Sequence, residues 1–182
     1  MALLTIRTYP DAALKQPARP VENITGEVAK FAQDLAETMY AAPGVGLAAN
    51  QVGVPQRIVV LDVHDEETRP GERLLKLVNP VVVEREGEVV WEEGCLSVPE
   101  FTAPVRRARR VLVRAWTPEE REVTIEAEEL LAVALQHEID HLDGKLFLDR
   151  LSRLKRDLYR ARRKKLQRQG RSSEPTPRRV LI

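Results

Sequence analysis

The tightest constraint on this chain lies between Glu128 and Leu142, where a helical apolar pattern and a metal-ligand pattern share the same residues. Leu130, Leu131, Ala134, Leu135 and Leu142 recur at helical spacing and form a wide apolar face, with Gly144 just beyond the expected end. The same segment contains His137-Glu138-Ile139-Asp140-His141, a His-Glu-x-x-His pattern. Residues four apart share a helix face, so both imidazoles can reach one metal ion while Glu138 leans toward a water on that ion. The plain alternative is a pair of surface histidines. In a chain with three histidines the pattern rarely arises by chance, which favours the metal reading.

A catalytic metal site needs three protein ligands and one open position. The remaining histidine, His64, sits in Asp62-Val63-His64-Asp65, where a strand runs into an acidic loop, and reads as a solvated loop residue. Cys95, the single cysteine, is the better third ligand. Alone, a cysteine is most simply a small buried hydrophobe. Here it stands in Glu93-Gly94-Cys95-Leu96-Ser97, where glycine lets the backbone approach another group. A thiolate beside a divalent ion loses its proton and lowers the net charge at the metal. One cysteine also excludes an internal disulfide, so the chain does not depend on an oxidising compartment.

Gly44-Val45-Gly46-Leu47-Ala48-Ala49-Asn50-Gln51 is the third unusual segment. It can be a turn with close packing. It is not a dinucleotide fingerprint, because Ala49 replaces the third glycine and the stretch follows a helix. Gln51 then stands as a polar side chain able to donate a hydrogen bond to a substrate carbonyl.

The rest of the chain reads as one α+β domain. A helix is expected over Thr25 to Tyr40, with Val28, Phe31, Leu35 and Met39 inward, Thr25 as cap, and Pro43-Gly44 as its stop. Strands are expected at Arg57–Val63, at Leu74–Glu84 with a break at Asn79-Pro80, and at Glu88–Trp91, Val111–Trp116 and Glu122–Ile125. A further helix runs from Leu151 to about Gln167, and a loose end follows from Gly170. No apolar run approaches a membrane span, and Met1 to Tyr9 lack the pattern of a secretory signal, so the expected location is the cytoplasm. The net charge of +1 conceals an asymmetry: residues 1–149 hold 16 Lys+Arg against 26 Asp+Glu, and residues 150–182 hold 13 against 2.

Taken together, Gly44 to Gln51, Glu93 to Ser97 and Gln136-His-Glu-Ile-Asp-His-Leu142 resemble the three signature motifs of the peptide deformylase family, in the family's order and at similar spacing. The similarity covers about residues 3 to 165. The resemblance implies antiparallel sheets packed around a central helix carrying the motif histidines. It implies a catalytic domain over residues 1–150, with a C-terminal basic helix and flexible tail over 151–182. It makes Cys95, His137 and His141 the metal ligands, with ferrous iron as native ion and zinc or nickel as substitutes. Glu138 becomes the general acid and base, and Gln51 and the Leu96 N–H become oxyanion donors. Val133 and Ala134 would line the methionine pocket, and Val45, Gly46 and Gly94 would touch the substrate backbone. The implied reaction removes the formyl group from the N-formylmethionyl end of nascent polypeptides.

Three positions depart from the family pattern. Glu129 stands where a glycine is common, which should alter helix packing more than chemistry. Thr102 replaces a basic or aromatic residue, and Pro43 an acidic one at the rim. The basic end, with Arg153, Lys155, Arg156, Arg160, Arg162, Arg163, Lys164, Lys165 and Arg168, is by default a solvated face. By resemblance it implies docking on the ribosome, with little base-specific reading because Tyr159 is its lone aromatic. A zincin-like metallopeptidase would need a downstream histidine or glutamate ligand, and after His141 only Glu174 is present. A ribosome- or RNA-binding protein with a silent metal site is the other rival, and the intact set of Cys95, Gln51, His137, Glu138 and His141 argues against it.

Overall fold

The computed structural model describes residues 3–63 and 69–168. The loop reading of His64 and the loose end from Gly170 lie outside the described residues.

The element order is a 3-10 turn (Ala12–Lys15), α1 (Gly26–Ala41), β1 (Gly46–Ala48), a 3-10 turn (Ala49–Val52), β2 (Ile58–Leu61), β3 (Leu75–Glu86), β4 (Val89–Cys95), β5 (Val98–Arg107), β6 (Arg110–Trp116), β7 (Glu122–Glu128), α2 (Glu129–Leu142), a 3-10 turn (Phe147–Arg150) and α3 (Arg153–Arg168). The strands form an antiparallel five-stranded sheet in the order β1-β2-β3-β6-β7 and a separate β4-β5 hairpin. This is the mixed α+β class expected, with antiparallel sheets. Among the described residues no helix is long and apolar enough to cross a membrane.

Strand β2 explains how the sheet holds a helix on each face. Side chains alternate along a strand. Ile58 and Val60 join the cluster made by Val28, Leu35 and Met39 of α1, while Val59 and Leu61 join the cluster made by Val133, Leu135 and Leu142 of α2. Because both faces are covered, β2 reads as a continuous apolar run rather than an alternation. Burying each large aliphatic side chain contributes about 1.5–3 kcal/mol.

Helix α2 is covered all round: every residue from Ala132 to Leu142 is buried. Its polar residues must therefore find partners inside the protein. Gln136 does so by bonding both backbone groups of Ala108, accepting at 3.0 Å and donating at 2.9 Å. The helix ends where Gly144 adopts φ +71; an added Cβ there would lie 2.6 Å from the Lys15 carbonyl oxygen.

Several boundaries differ from expectation. Thr25 precedes α1 in extended conformation, but its hydroxyl makes no capping bond. The break at Asn79-Pro80 is a register shift inside β3, and Asn79 (φ +53) bonds both backbone groups of Val21 at 2.8 Å. The β4 strand runs on to Cys95, beyond the expected Trp91. Strands β1 and β5 were not expected. Pro99 and Pro104 hide β5, and a hairpin edge tolerates them because their missing N–H groups need not serve a second neighbour.

Glu129 corrects one expectation. It begins α2 at φ +51, so a glycine there answers a backbone demand rather than a packing one. Its side chain bonds exposed Arg109 at 2.6 Å, which offsets little in water. A left-handed backbone costs an L-residue roughly 1–2 kcal/mol. Glu129→Gly should therefore raise unfolding stability by about 1 kcal/mol in urea titrations; a loss of stability would contradict the backbone account.

Candidate metal centre

Three segments meet at the buried face of α2. The helix presents His137 and His141 one turn apart. The end of β4 presents Cys95, after a register shift between Glu93 and Cys95 that redirects the chain. The turn after β1 presents Gln51. Cys95 is 4 %, His137 2 %, Glu138 1 %, His141 1 % and Gln51 1 % exposed, so all five side chains are buried.

The ligand atoms of Cys95, His137 and His141 all lie within 4.8 Å of one another. Cys95 Sγ is 3.2 Å from His141 Nε2, and His141 Nε2 is 3.2 Å from His137 Nε2. A tetrahedral ion with Zn–N and Zn–S bonds of ordinary length sets its ligand atoms about 3.3–3.7 Å apart. Sulfur with two imidazoles also suits a borderline-soft divalent ion better than magnesium or calcium. The donor set fits a divalent metal on both counts.

The supporting residues fix which nitrogen faces the cluster. His137 Nδ1 lies 2.8 Å from Glu93 Oε2, which directs Nε2 toward Cys95 and His141. Glu93 is itself held by Arg107 in a two-pronged pair, at 2.6 Å from Nε and 2.9 Å from Nη2. Arg107 also bonds Asp140, and Arg150 closes on Asp140 at 2.5 and 2.7 Å. Burial works against charge on Glu93, but Arg107 and His137 outweigh it and hold this carboxyl below its usual value. Asp140 is likewise lowered by Arg150 and Arg107 against the opposing effect of burial. Burial also works against the guanidinium of Arg107, yet the two carboxylates keep it more firmly protonated than usual.

Glu138 differs from these. Burial, aided by the charge of Glu93, pushes its pKa up to about 7, with His137 and Arg107 pulling the other way. Its Oε2 has no hydrogen-bond partner among the described residues. A carboxyl poised near neutrality with a free oxygen is equipped to take and return a proton. The two imidazoles are pushed apart: burial opposes charge on both, but Cys95 and Glu93 raise His137 to about 10, while His137 itself drives His141 further down.

Gln51 is oriented from behind. Its Oε1 accepts from Ala48 N–H at 2.7 Å, leaving Nε2 to donate to Ser97 Oγ at 3.1 Å and toward Cys95 Sγ at 3.6 Å. Gly46 is where Glu138 fits, since an added Cβ would sit 2.4 Å from Glu138 Oε1. Gly44 meets Leu96 in the same way, at 2.7 Å from its Cδ1. Leu96 follows Cys95 in the turn between β4 and β5, and Gly94 is buried just before it. Val45 accepts from Asp62 N–H at 2.9 Å and packs on the α2 cluster. Val133 and Ala134 are fully covered within that cluster. Thr102 and Pro43 are exposed.

The supporting set was not anticipated from sequence. Glu93 and Asp140 lie inside the quoted motifs, so their positions were visible though their partners were not. Arg107 carries no local signal, and it faces inward because β5 alternates, with Ala103, Val105 and Arg107 on the covered side. Arg107→Met takes from buried Glu93 its two-pronged partner and from Asp140 one of its two arginines, and should cost about 3–5 kcal/mol in denaturant unfolding. Because the carboxyls of Glu93 and Asp140 titrate below their unfolded values, their stabilisation is complete above the ordinary carboxylate pKa of about 4 and is lost as pH falls further. Wild-type stability should therefore fall steeply below about pH 4, and less steeply in Arg107→Met; equal acid slopes would contradict the network.

Comparison with known proteins matches this arrangement to one family. The model of the polypeptide deformylase family matches residues 3–157. The peptide deformylase of Syntrophobacter fumaroxidans is 50% identical over 165 residues, covering 91% of this chain and 96% of its own. That of Alkalilimnicola ehrlichii is 51% identical over 171 residues, covering 94% of each. The crystal structure of a peptide deformylase from Legionella pneumophila superposes with a TM-score of 0.85 at 42% identity, covering 94% of this chain and 100% of that one. The Ehrlichia chaffeensis peptide deformylase in complex with actinonin gives 0.84 at 40% identity, covering 92% and 99%. Agreement in sequence and in fold over nearly the whole length of both partners shows that the chain belongs to the polypeptide deformylase family.

Proposed function

We propose that this chain is a metal-dependent hydrolase that removes the formyl group from the N-formylmethionyl end of nascent polypeptides and releases formate. The observation that carries the reading is the buried convergence of Cys95, His137 and His141 beside Glu138. Family membership supplies the reaction.

Cys95, His137 and His141 would hold the ion, which we take to be ferrous iron, with zinc or nickel able to substitute. When bound, it supplies Lewis acidity for water and for the formyl carbonyl. The remaining steps belong to the chain's own groups. Glu138 takes a proton from the attacking water and returns it to the departing amine. Gln51 Nε2 and the Leu96 N–H donate to the oxygen that gains charge on the formyl carbon, each such donor being worth about 3–4 kcal/mol. Pinning Gln51 Oε1 on Ala48 means that this donor need not reorganise.

Strand β1 ends the five-stranded sheet, so an extended peptide can align along its open edge. Val45 and Gly46 are assigned to that contact, with Gly94 opposite. Val133 and Ala134 are assigned the floor of the methionine pocket. They belong to the cluster on which partly covered Val45 and Leu131 pack. A formyl group next to this wall leaves little space for a larger acyl group.

We further assign the basic side chains of α3 to docking on the ribosome, which would locate the enzyme in the cytoplasm where nascent chains emerge. Arg153, Lys155, Arg160, Arg162, Lys164 and Lys165 are exposed. Such contacts with phosphate weaken strongly with salt.

Glu138→Gln should keep its metal, by elemental analysis of protein purified without oxygen, yet lose nearly all turnover of a formyl-Met peptide. Near-normal turnover would refute the proton-transfer role. Replacing Arg160, Arg162, Lys164 and Lys165 by Glu should abolish co-sedimentation with ribosomes at low salt and leave peptide turnover unchanged; undiminished co-sedimentation would refute docking through α3.

A further inference from the structure

Helix α3 is attached to the body in an unexpected way. Two of its leucines, the obvious anchors, are exposed: Leu154 by 70 % and Leu158 by 63 %. Tyr159 is 3 % exposed instead. Its hydroxyl has no hydrogen-bond partner among the described residues, an arrangement that costs free energy and that a phenylalanine would avoid.

The Tyr159 ring begins an aromatic series that ends on a metal ligand. Its centroid is 4.8 Å from that of Phe101 and 5.6 Å from that of Tyr9. Phe101 stacks on Phe147 at 6.0 Å, and Phe147 stacks on His137 at 6.2 Å with planes 26° apart. The apolar cluster that contains Tyr159 also contains Cys95 and Val98, the two ends of the β4-β5 turn. A second route uses hydrogen bonds. Arg163 Nε donates to the Tyr9 carbonyl at 3.4 Å, and Tyr9 N–H donates to the Ser97 carbonyl at 2.8 Å. The Ser97 hydroxyl in turn accepts from Gln51 Nε2 at 3.1 Å.

We propose that Tyr159 is a positioning residue for the Cys95–Ser97 turn and the His137 ring, so that the catalytic unit extends into α3. Tyr159 lies beyond residue 157, where the match to the family model ends. It acts through Phe101, Phe147 and Tyr9. Its ring fixes the wall against which Cys95 and His137 are set, and close-packed walls transmit the loss of a ring as a shift of the groups they hold. The proposal rests on the reading of Cys95, His137 and His141 as metal ligands.

The test loads the full-length chain with Co2+ and follows the thiolate-to-metal absorption band, a direct report of the Cys95–metal bond, together with turnover of a formyl-Met peptide. Tyr159→Phe should match wild type in band, kcat and KM, because only the ring is required. Tyr159→Leu should displace the band and lower kcat by about tenfold with KM nearly unchanged. A wild-type band and kcat in Tyr159→Leu would overturn the proposal, even with a lower Tm, because Tyr159 would then only hold the helix down. Should Tyr159→Leu be unfolded by circular dichroism, Phe101→Leu decides in the same terms, since it interrupts the series one ring nearer the metal. Absence of the band from the wild-type chain would overturn the metal reading and this proposal with it.

Discussion

The buried guanidinium of Arg107 is the interaction on which the site depends. It lies between Glu93, on the strand that carries Cys95, and Asp140, on the helix that carries the two histidines. Without it, Glu93 would keep only His137 and Asp140 only Arg150, and a buried carboxylate with fewer partners ionises at a higher cost. With it, the β4-β5 hairpin is tied to α2, and Glu93 is free to hold His137 in the tautomer that turns Nε2 to the centre. The metal donors thus come from two separate layers, the hairpin and the helix, and one cation sets the distance between them.

Around this centre the chain separates groups by protonation. Glu93 and Asp140 are kept ionised by cations close at hand, and their role is to hold position. Glu138, one residue after a ligand, is denied such a partner and is raised by burial toward neutrality, where proton transfer is easiest. Gly46 is part of this division, because its missing side chain is the space Glu138 occupies. Sequence neighbours on one buried helix therefore differ in chemistry because different elements pack against them.

Much of this was legible in the sequence and some was not, for identifiable reasons. The α2 helix and the approach of its two histidines follow from helical period alone. The core strands β2 and β6 were visible as β-branched runs. That Cys95 joins the histidines depended on a motif, since no local rule brings a residue 42 positions upstream to a helix. The prolines of β5 concealed a strand, and with it the alternation that turns Arg107 inward. Glu129 was read as a packing change because a positive φ cannot be seen in a list of residues. The burial of Tyr159 in place of Leu154 and Leu158 was equally invisible, because a basic helix that also carries leucines gives no reason for its tyrosine to be the anchor.

The central claim is that one ion is held jointly by the sulfur of Cys95 and the Nε2 atoms of His137 and His141. X-ray absorption at the metal edge of the purified, loaded chain addresses it most directly. The account predicts one sulfur and two imidazole nitrogens in the first coordination shell, with the sulfur lost in Cys95→Ala. A shell of nitrogen and oxygen alone in the wild-type chain, or a sulfur that persists in that variant, would contradict it.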